Sequence, residues 1–190
     1  NRGQVDESYI EEANHVENHI VNSRDLEKED TVLYRGWMLS HEEYEQYMKS
    51  IARRGAKMIV GITDYYASHH INNWYDILKD LTPETVFLER ETLKEDFDTK
   101  NLQWDSYFVK DSVKSLNTKR GSIAKNYDEV VSIVEEIKKY RGIEGVIALR
   151  KVHQFVEDTE VRYFCVKGEV YSPNGYISPI AIETGKRMAH

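Results

Sequence analysis

The apolar and polar positions along the chain fall into helical stripes separated by short β-type runs. In "DESYIEEANHVENHIV", Ile10, Ala13, Val16 and Ile20 recur at helical spacing and predict a helix inside an acidic opening segment, residues 1–30. "TVLYR" (31–35) is a short β-type run. In "SHEEYEQYMKSIARRG", Ser40 followed by Glu43 is a capping box. There Tyr44, Tyr47, Met48 and Ile51 form one apolar face, with Gly55 as the stop. "KMIVGI" predicts a strand, "NNWYDILKDL" a short helix and "ETVFLE" a further strand. Strand, helix, strand, helix, strand is the order of a small α/β layer with parallel strands.

The pattern changes after the charged segment "RETLKEDFDTKN". "DSYFVK" predicts a strand, and "NYDEVVSIVEEIKKYRG" a helix with Val130, Val134 and Ile137 on one face and Gly142 as its stop. "GVIALR" predicts a strand, and "EVRYFCVKGEVYS" alternates on both sides of Lys167-Gly168, a hairpin signal. One helix on antiparallel strands is an α+β layer. The expected organisation is therefore an N-terminal extension (1–30), an α/β domain (31–104) and an α+β domain (105–190).

Composition narrows the function classes. Of 190 residues, 40% are apolar and 31% charged, as in globular proteins, and no apolar run approaches the roughly 18 residues of a membrane span. The polar, acidic opening lacks the pattern of a signal peptide. A single cysteine, Cys165, rules out an internal disulfide and suits a reducing, cytoplasmic compartment. A net charge of -7 argues against general nucleic-acid coating, so an anionic ligand needs a local cluster of cations.

Such a cluster lies in "YFVKDSVKSLNTKRGS". Lys110 ends a strand, Lys114 follows, and Lys119, Arg120, Gly121 and Ser122 form a basic Gly/Ser loop suited to phosphate oxygens. The Walker A spacing is absent, and a solvated loop after an edge strand is the plain alternative. Arg150 and Arg162 are both expected on strands, where a guanidinium needs a partner and its fork favours carboxylate or phosphate. A salt bridge between Arg162 and Glu160 is the ordinary alternative. Arg35, Gly36 and Trp37 stand where a strand gives way to a helix, the place where open α/β sheets bind ligands. His69, His70 and Trp74 are expected in the loop and short helix after the next strand, either lining the cleft or packing and capping. His15 and His19 are four apart but lack an evident third zinc ligand. Cys165, in an alternating strand, is read as core rather than nucleophile.

Taken in order, "LYRGWML", "YYASHHINNWY", "LTPET", "YFVKDSVKS", "GVIALR" and "EVRYFCVKGEVYS" resemble an ATP-grasp protein, over roughly residues 31–172. The resemblance is to the clade marked by two arginines and a lysine, common in bacterial and phage genomes. It implies a pre-ATP-grasp domain at 31–104 and an ATP-grasp nucleotide-binding domain at 105–190. It also implies ATP and Mg²⁺ as cofactors, and a small-molecule or peptide carboxylate and amine as substrates. Lys110 would contact the nucleotide phosphates, with Lys114 and the Lys119–Ser122 flap over them. Arg162, in an E-x-R pattern with Glu160, would reach the terminal phosphate. The strand ending at Arg150 and Lys151 would pass the adenine, and Arg35, Gly36, Trp37, His69, His70 and Trp74 would face the acceptor side. The implied reaction joins a carboxylate to an amine through an acylphosphate. A non-catalytic nucleotide-binding regulatory module and a phosphotransferase are the alternatives. The family's late acidic Mg²⁺ ligands have no counterpart here, Glu183 being the only acidic residue after Glu169. The expectation is a chain that lacks its C-terminal strands, with the metal ligands unassigned.

Overall fold

The computed structural model describes residues 26–36, 38–113, 120–156 and 158–188. The expected N-terminal helix, with His15 and His19, lies outside them. So do Trp37, Lys114 and Lys119.

The first layer is small. Strands β1 (Thr31–Val32) and β2 (Lys57–Met58) pair in parallel, joined by helix α1 (His41–Arg53). The capping box is complete: Ser40 Oγ accepts from the Glu43 amide, and Glu43 accepts from the Ser40 amide at 2.6 Å. Tyr44, Tyr47 and Ile51 are buried on the inner face, with Leu39, Ala56 and the partly buried Met48 around them. Two helices follow, α2 (Ile62–His69) and α3 (Ile71–Leu78), where a loop and one short helix were expected.

The expected third parallel strand does not extend this layer. β3 (Thr85–Leu88) belongs to a four-stranded sheet with β4 (Tyr107–Asp111), β5 (Ile123–Ala124) and β6 (Ile147–Lys151), in the order β3-β6-β4-β5. Every pairing in that sheet is antiparallel. The physical reason is burial: Leu88 and Val86 join the core formed with helix α5 (Tyr127–Arg141) rather than the α1 core. β6 is central, flanked on both edges, and its Ile147, Ala148 and Leu149 are all buried, as a covered central strand requires.

Side chains alternate across this sheet. Tyr107, Val109, Ile147, Leu149 and Leu88 point toward α5, whose Val130, Ile133, Val134 and Ile137 complete the core. The charged segment at 90–104 contains another helix, α4 (Leu93–Lys100), with Leu93 and Phe97 packed on the same core. Asn126 caps α5 by accepting from the Glu129 amide at 3.0 Å.

The predicted hairpin is present as β7 (Phe164–Val166) and β8 (Glu169–Tyr171). Lys167 (φ 51°) and Gly168 (φ 79°) form the two-residue turn, both in the left-handed region that a type I′ hairpin requires. Cys165 is exposed rather than in the core, because three-residue strands do not make a covered sheet; its thiol donates to the Gly185 carbonyl. Helix α6 (Pro179–Met188) packs beside the hairpin, and Arg187 ties it to the Ile77 carbonyl of α3 and to Asp80 in the 3-10 turn that follows. Among the described residues no helix is long and apolar enough to cross a membrane.

Candidate anion site on the sheet face away from the long helix

The register of β6 brings two of the expected cations together. Lys110 lies opposite Ala148, and Arg150 lies opposite Phe108 and Thr85. The pleat therefore puts Lys110, Phe108, Arg150, Thr85 and Phe87 on one face, away from α5. Lys110 and Arg150 are diagonal neighbours there, a spacing of about 7–8 Å between their backbones, within reach of one polyanion.

Arg150 is half-buried. Its Nε donates to Thr85 Oγ1 at 3.3 Å, and its Nη2 donates to Thr82 Oγ1. Burial pulls its pKa below the ordinary arginine value, offset in part by Tyr75. Among the described residues it pairs with no carboxylate. Thr85 is itself fixed: its hydroxyl donates to the Pro83 carbonyl at 2.8 Å, and its amide donates to the Tyr75 hydroxyl at 2.8 Å. Tyr75, on α3, meets the Phe87 ring edge-on with centroids 5.6 Å apart. Thr82, Thr85 and Tyr75 were missed by sequence reasoning. The "LTPET" segment held the signal, but only the strand register places Thr85 across from Arg150.

Lys110 Nζ donates to the Val113 carbonyl at 3.4 Å. Asp111, next to it, points the other way and is fully buried. Its two carboxylate oxygens accept from the Val113 and Glu144 amides, at 3.0 and 3.1 Å. It is thus a structural anchor for the end of β4. Among the described residues no group of three or more His, Cys, Asp or Glu side chains is arranged for a metal ion. With Asp111 engaged by backbone amides, the described residues do not fit the protein ligand set that Mg²⁺ needs.

The other expected site residues are dispersed. Lys151, exposed at the end of β6, donates its amide to the Glu84 carbonyl at 2.8 Å. Ser122 is buried, and its carbonyl accepts from the Val109 amide at 2.7 Å, so it belongs to the sheet edge. Gly121 (φ 73°) and exposed Arg120 precede it, with Arg120 donating to the Glu129 carbonyl at 3.4 Å. Arg162 and Glu160 are exposed and precede β7, so Arg162 is not on a strand: pairing in that hairpin begins at Phe164, opposite Tyr171.

On the first layer, Arg35 is exposed just beyond β1. Gly36 makes its close approach to a neighbouring side chain: a Cβ there would lie 2.5 Å from the Tyr34 hydroxyl. His69 ends α2 and stacks on Tyr65, which in turn stacks on Tyr44. Burial pushes the Tyr65 hydroxyl up to about 12, although its bond to the Leu39 backbone works against that. Trp74 is half-buried on α3.

His70 is not in an open loop. It is only 4% exposed and sits at the joint between the two layers, with Nε2 3.2 Å from Glu144 Oε1. The adjacent Ile71 amide donates to the Ser112 carbonyl at 2.8 Å, and the Ser112 amide to the Glu144 carbonyl at 3.1 Å. Gly145 (φ 69°) closes this joint. A Cβ there would lie 2.2 Å from Ser112 Oγ, so only glycine fits both the conformation and the space.

A solved structure similar to the chain is the D-alanine–D-alanine ligase of Helicobacter pylori. The identity is 17% and the TM-score 0.43, over 76% of this chain and 46% of that one. The chain thus spans about half the length of that protein. At that similarity nothing about this chain's activity follows from the likeness. No family model matches the chain, and no curated protein matches it.

Proposed function

We propose that the sheet face away from α5 binds the phosphates of ATP at Lys110 and Arg150, and that the chain is part of an ATP-grasp-type ligase that activates a carboxylate as an acylphosphate. The observation that carries this reading is Arg150: a half-buried guanidinium, held by two hydroxyls and sharing its sheet face with Lys110. A buried cation is costly without a counter-charge, and a bound phosphate supplies one. The ordered motifs over 31–172 support the same reading. In it, residues 31–104 face the acceptor and 105–190 the nucleotide, with Arg120, Gly121, Arg162 and Glu160 approaching the phosphates when nucleotide is bound. The acceptor carboxylate attacks the terminal phosphoryl group and releases ADP, and an amine then displaces phosphate. Lys110 and Arg150 serve by positioning and by offsetting charge, which is what phosphoryl transfer demands of a protein.

Calorimetric titration with ATP tests the reading. Arg150→Ala and Lys110→Ala are each expected to weaken binding about tenfold or more, the loss of a charge-assisted contact. No binding by the wild type, or unchanged binding in the double variant, overturns it.

A second reading, a nucleotide-binding module without catalysis, is favoured by one observation: the carboxylate next to Lys110 is taken up by backbone amides. ADP release that depends on an added carboxylate acceptor would decide for the ligase.

A further inference from the structure

We infer that Thr82 and Thr85 are positioning residues that hold Arg150 in a charge-neutral cradle, aiming at a polyphosphate the guanidinium edge that no described residue bonds.

Guanidinium carries five N–H donors in a rigid fork. Nε is held by Thr85 Oγ1, and Nη2 by Thr82 Oγ1. Neither bond reaches Nη1. Because the Thr85 hydroxyl gives its own proton to the Pro83 carbonyl, its lone pairs are left to face Nε. The cradle is anchored twice more, by the Thr85 amide on the Tyr75 hydroxyl and by the pairing of Thr85 opposite Arg150 in the sheet. Arg150 itself lies on the central strand, with both backbone edges paired. The side chain is therefore fixed at its base and at one edge.

The chemistry of the cradle matters as much as its geometry. A carboxylate in the place of either hydroxyl would fix the guanidinium equally well, but it would neutralise the charge and repel an incoming anion. Two hydroxyls orient the group and leave its charge intact. The cradle residues come from the 82–85 segment and the arginine from 150, so the anion site is formed only when β3 and β6 pair.

The inference rests on the nucleotide reading only for the identity of the anion, so inorganic tripolyphosphate is used as a second probe beside ATP. The Arg150 Nε–H resonance, assigned with Arg150→Lys, is followed by NMR in the full chain during titration. Tripolyphosphate is expected to shift this resonance. Thr82→Val, which keeps shape and loses the hydroxyl, is expected to weaken binding about tenfold, and Thr82→Ser to stay within about threefold of the wild type. Thr82→Asp is expected to bind more weakly still, although Arg150 is untouched. Urea midpoints of the three variants separate loss of the cradle from loss of the fold, and the contrast between Thr82→Ser and Thr82→Asp carries the test if valine unfolds the chain. The cradle is overturned if valine and aspartate bind like the wild type, if serine is as weak as valine, or if tripolyphosphate leaves the Arg150 resonance unmoved. If tripolyphosphate moves it and ATP does not, the nucleotide reading falls and the cradle stands. If ATP binds and Thr82→Asp has no effect, the cradle falls and the nucleotide reading stands.

Discussion

His70 was expected either to line the cleft or to pack and cap, and the fold buries it between the layers. The outcome follows from its neighbours: His70 occupies the N-cap position of α3 without a side-chain capping bond, at the point where that helix bonds to the end of β4, so the ring is enclosed by Tyr66, Glu144 and Gly145. Burial holds its pKa below the ordinary histidine value; Asp111 pulls the other way and His41 adds to the lowering. The folded chain thus takes up this proton at lower pH than the unfolded chain does. The stabilisation is complete above the unfolded value of about 6.5 and is lost as pH falls through it toward the lower folded value. Urea midpoints measured at pH 7.5 and 5.5 are expected to fall further for the wild type than for His70→Gln; equal falls would contradict this. The same residue marks a limit of sequence reading. "SHHINN" shows a histidine near a helix start, but whether its ring meets solvent or Glu144 is decided 74 residues away.

At the scale of elements, what depends on near neighbours was legible. The capping box of α1, the apolar stripe of α5 and the Lys167-Gly168 turn are set by residues within a few positions of each other, and all three stand as the spacing predicts. α4 was hidden because only Leu93 and Phe97 anchor it within a charged run. β5 was hidden because two residues, Ile123 and Ala124, form a strand only by pairing with β4. The energetic weights differ in the same way. Ser40→Ala removes one cap and is expected to cost about 1 kcal/mol. Ile133→Ala empties a fully buried site on α5 and is expected to cost about 2–5 kcal/mol. Chemical denaturation of the two variants checks the order, and a cap loss as large as the core loss would contradict it.

For the whole molecule, the decisive fact is that β3, from the first half of the sequence, closes a sheet built by the second. Lys110 and Arg150 were legible as cations at strand ends. Their common face, and the threonines that hold Arg150, came only with the β3-β6-β4 order. A fragment ending at residue 104 is accordingly expected to self-associate, because β3 would present an unpaired edge and an apolar face, with Leu88 uncovered. Light scattering reads this directly, and a monodisperse, folded fragment would contradict it. The shared strand also fixes where motion can occur. Four residues of β3 are stitched to β6, and segment 82–85 grips Arg150, so opening a cleft cannot split the sheet there without dismantling the anion site. Any hinge must lie on the α1 side of that seam, and the strand bearing Thr85 then travels with the cation it orients.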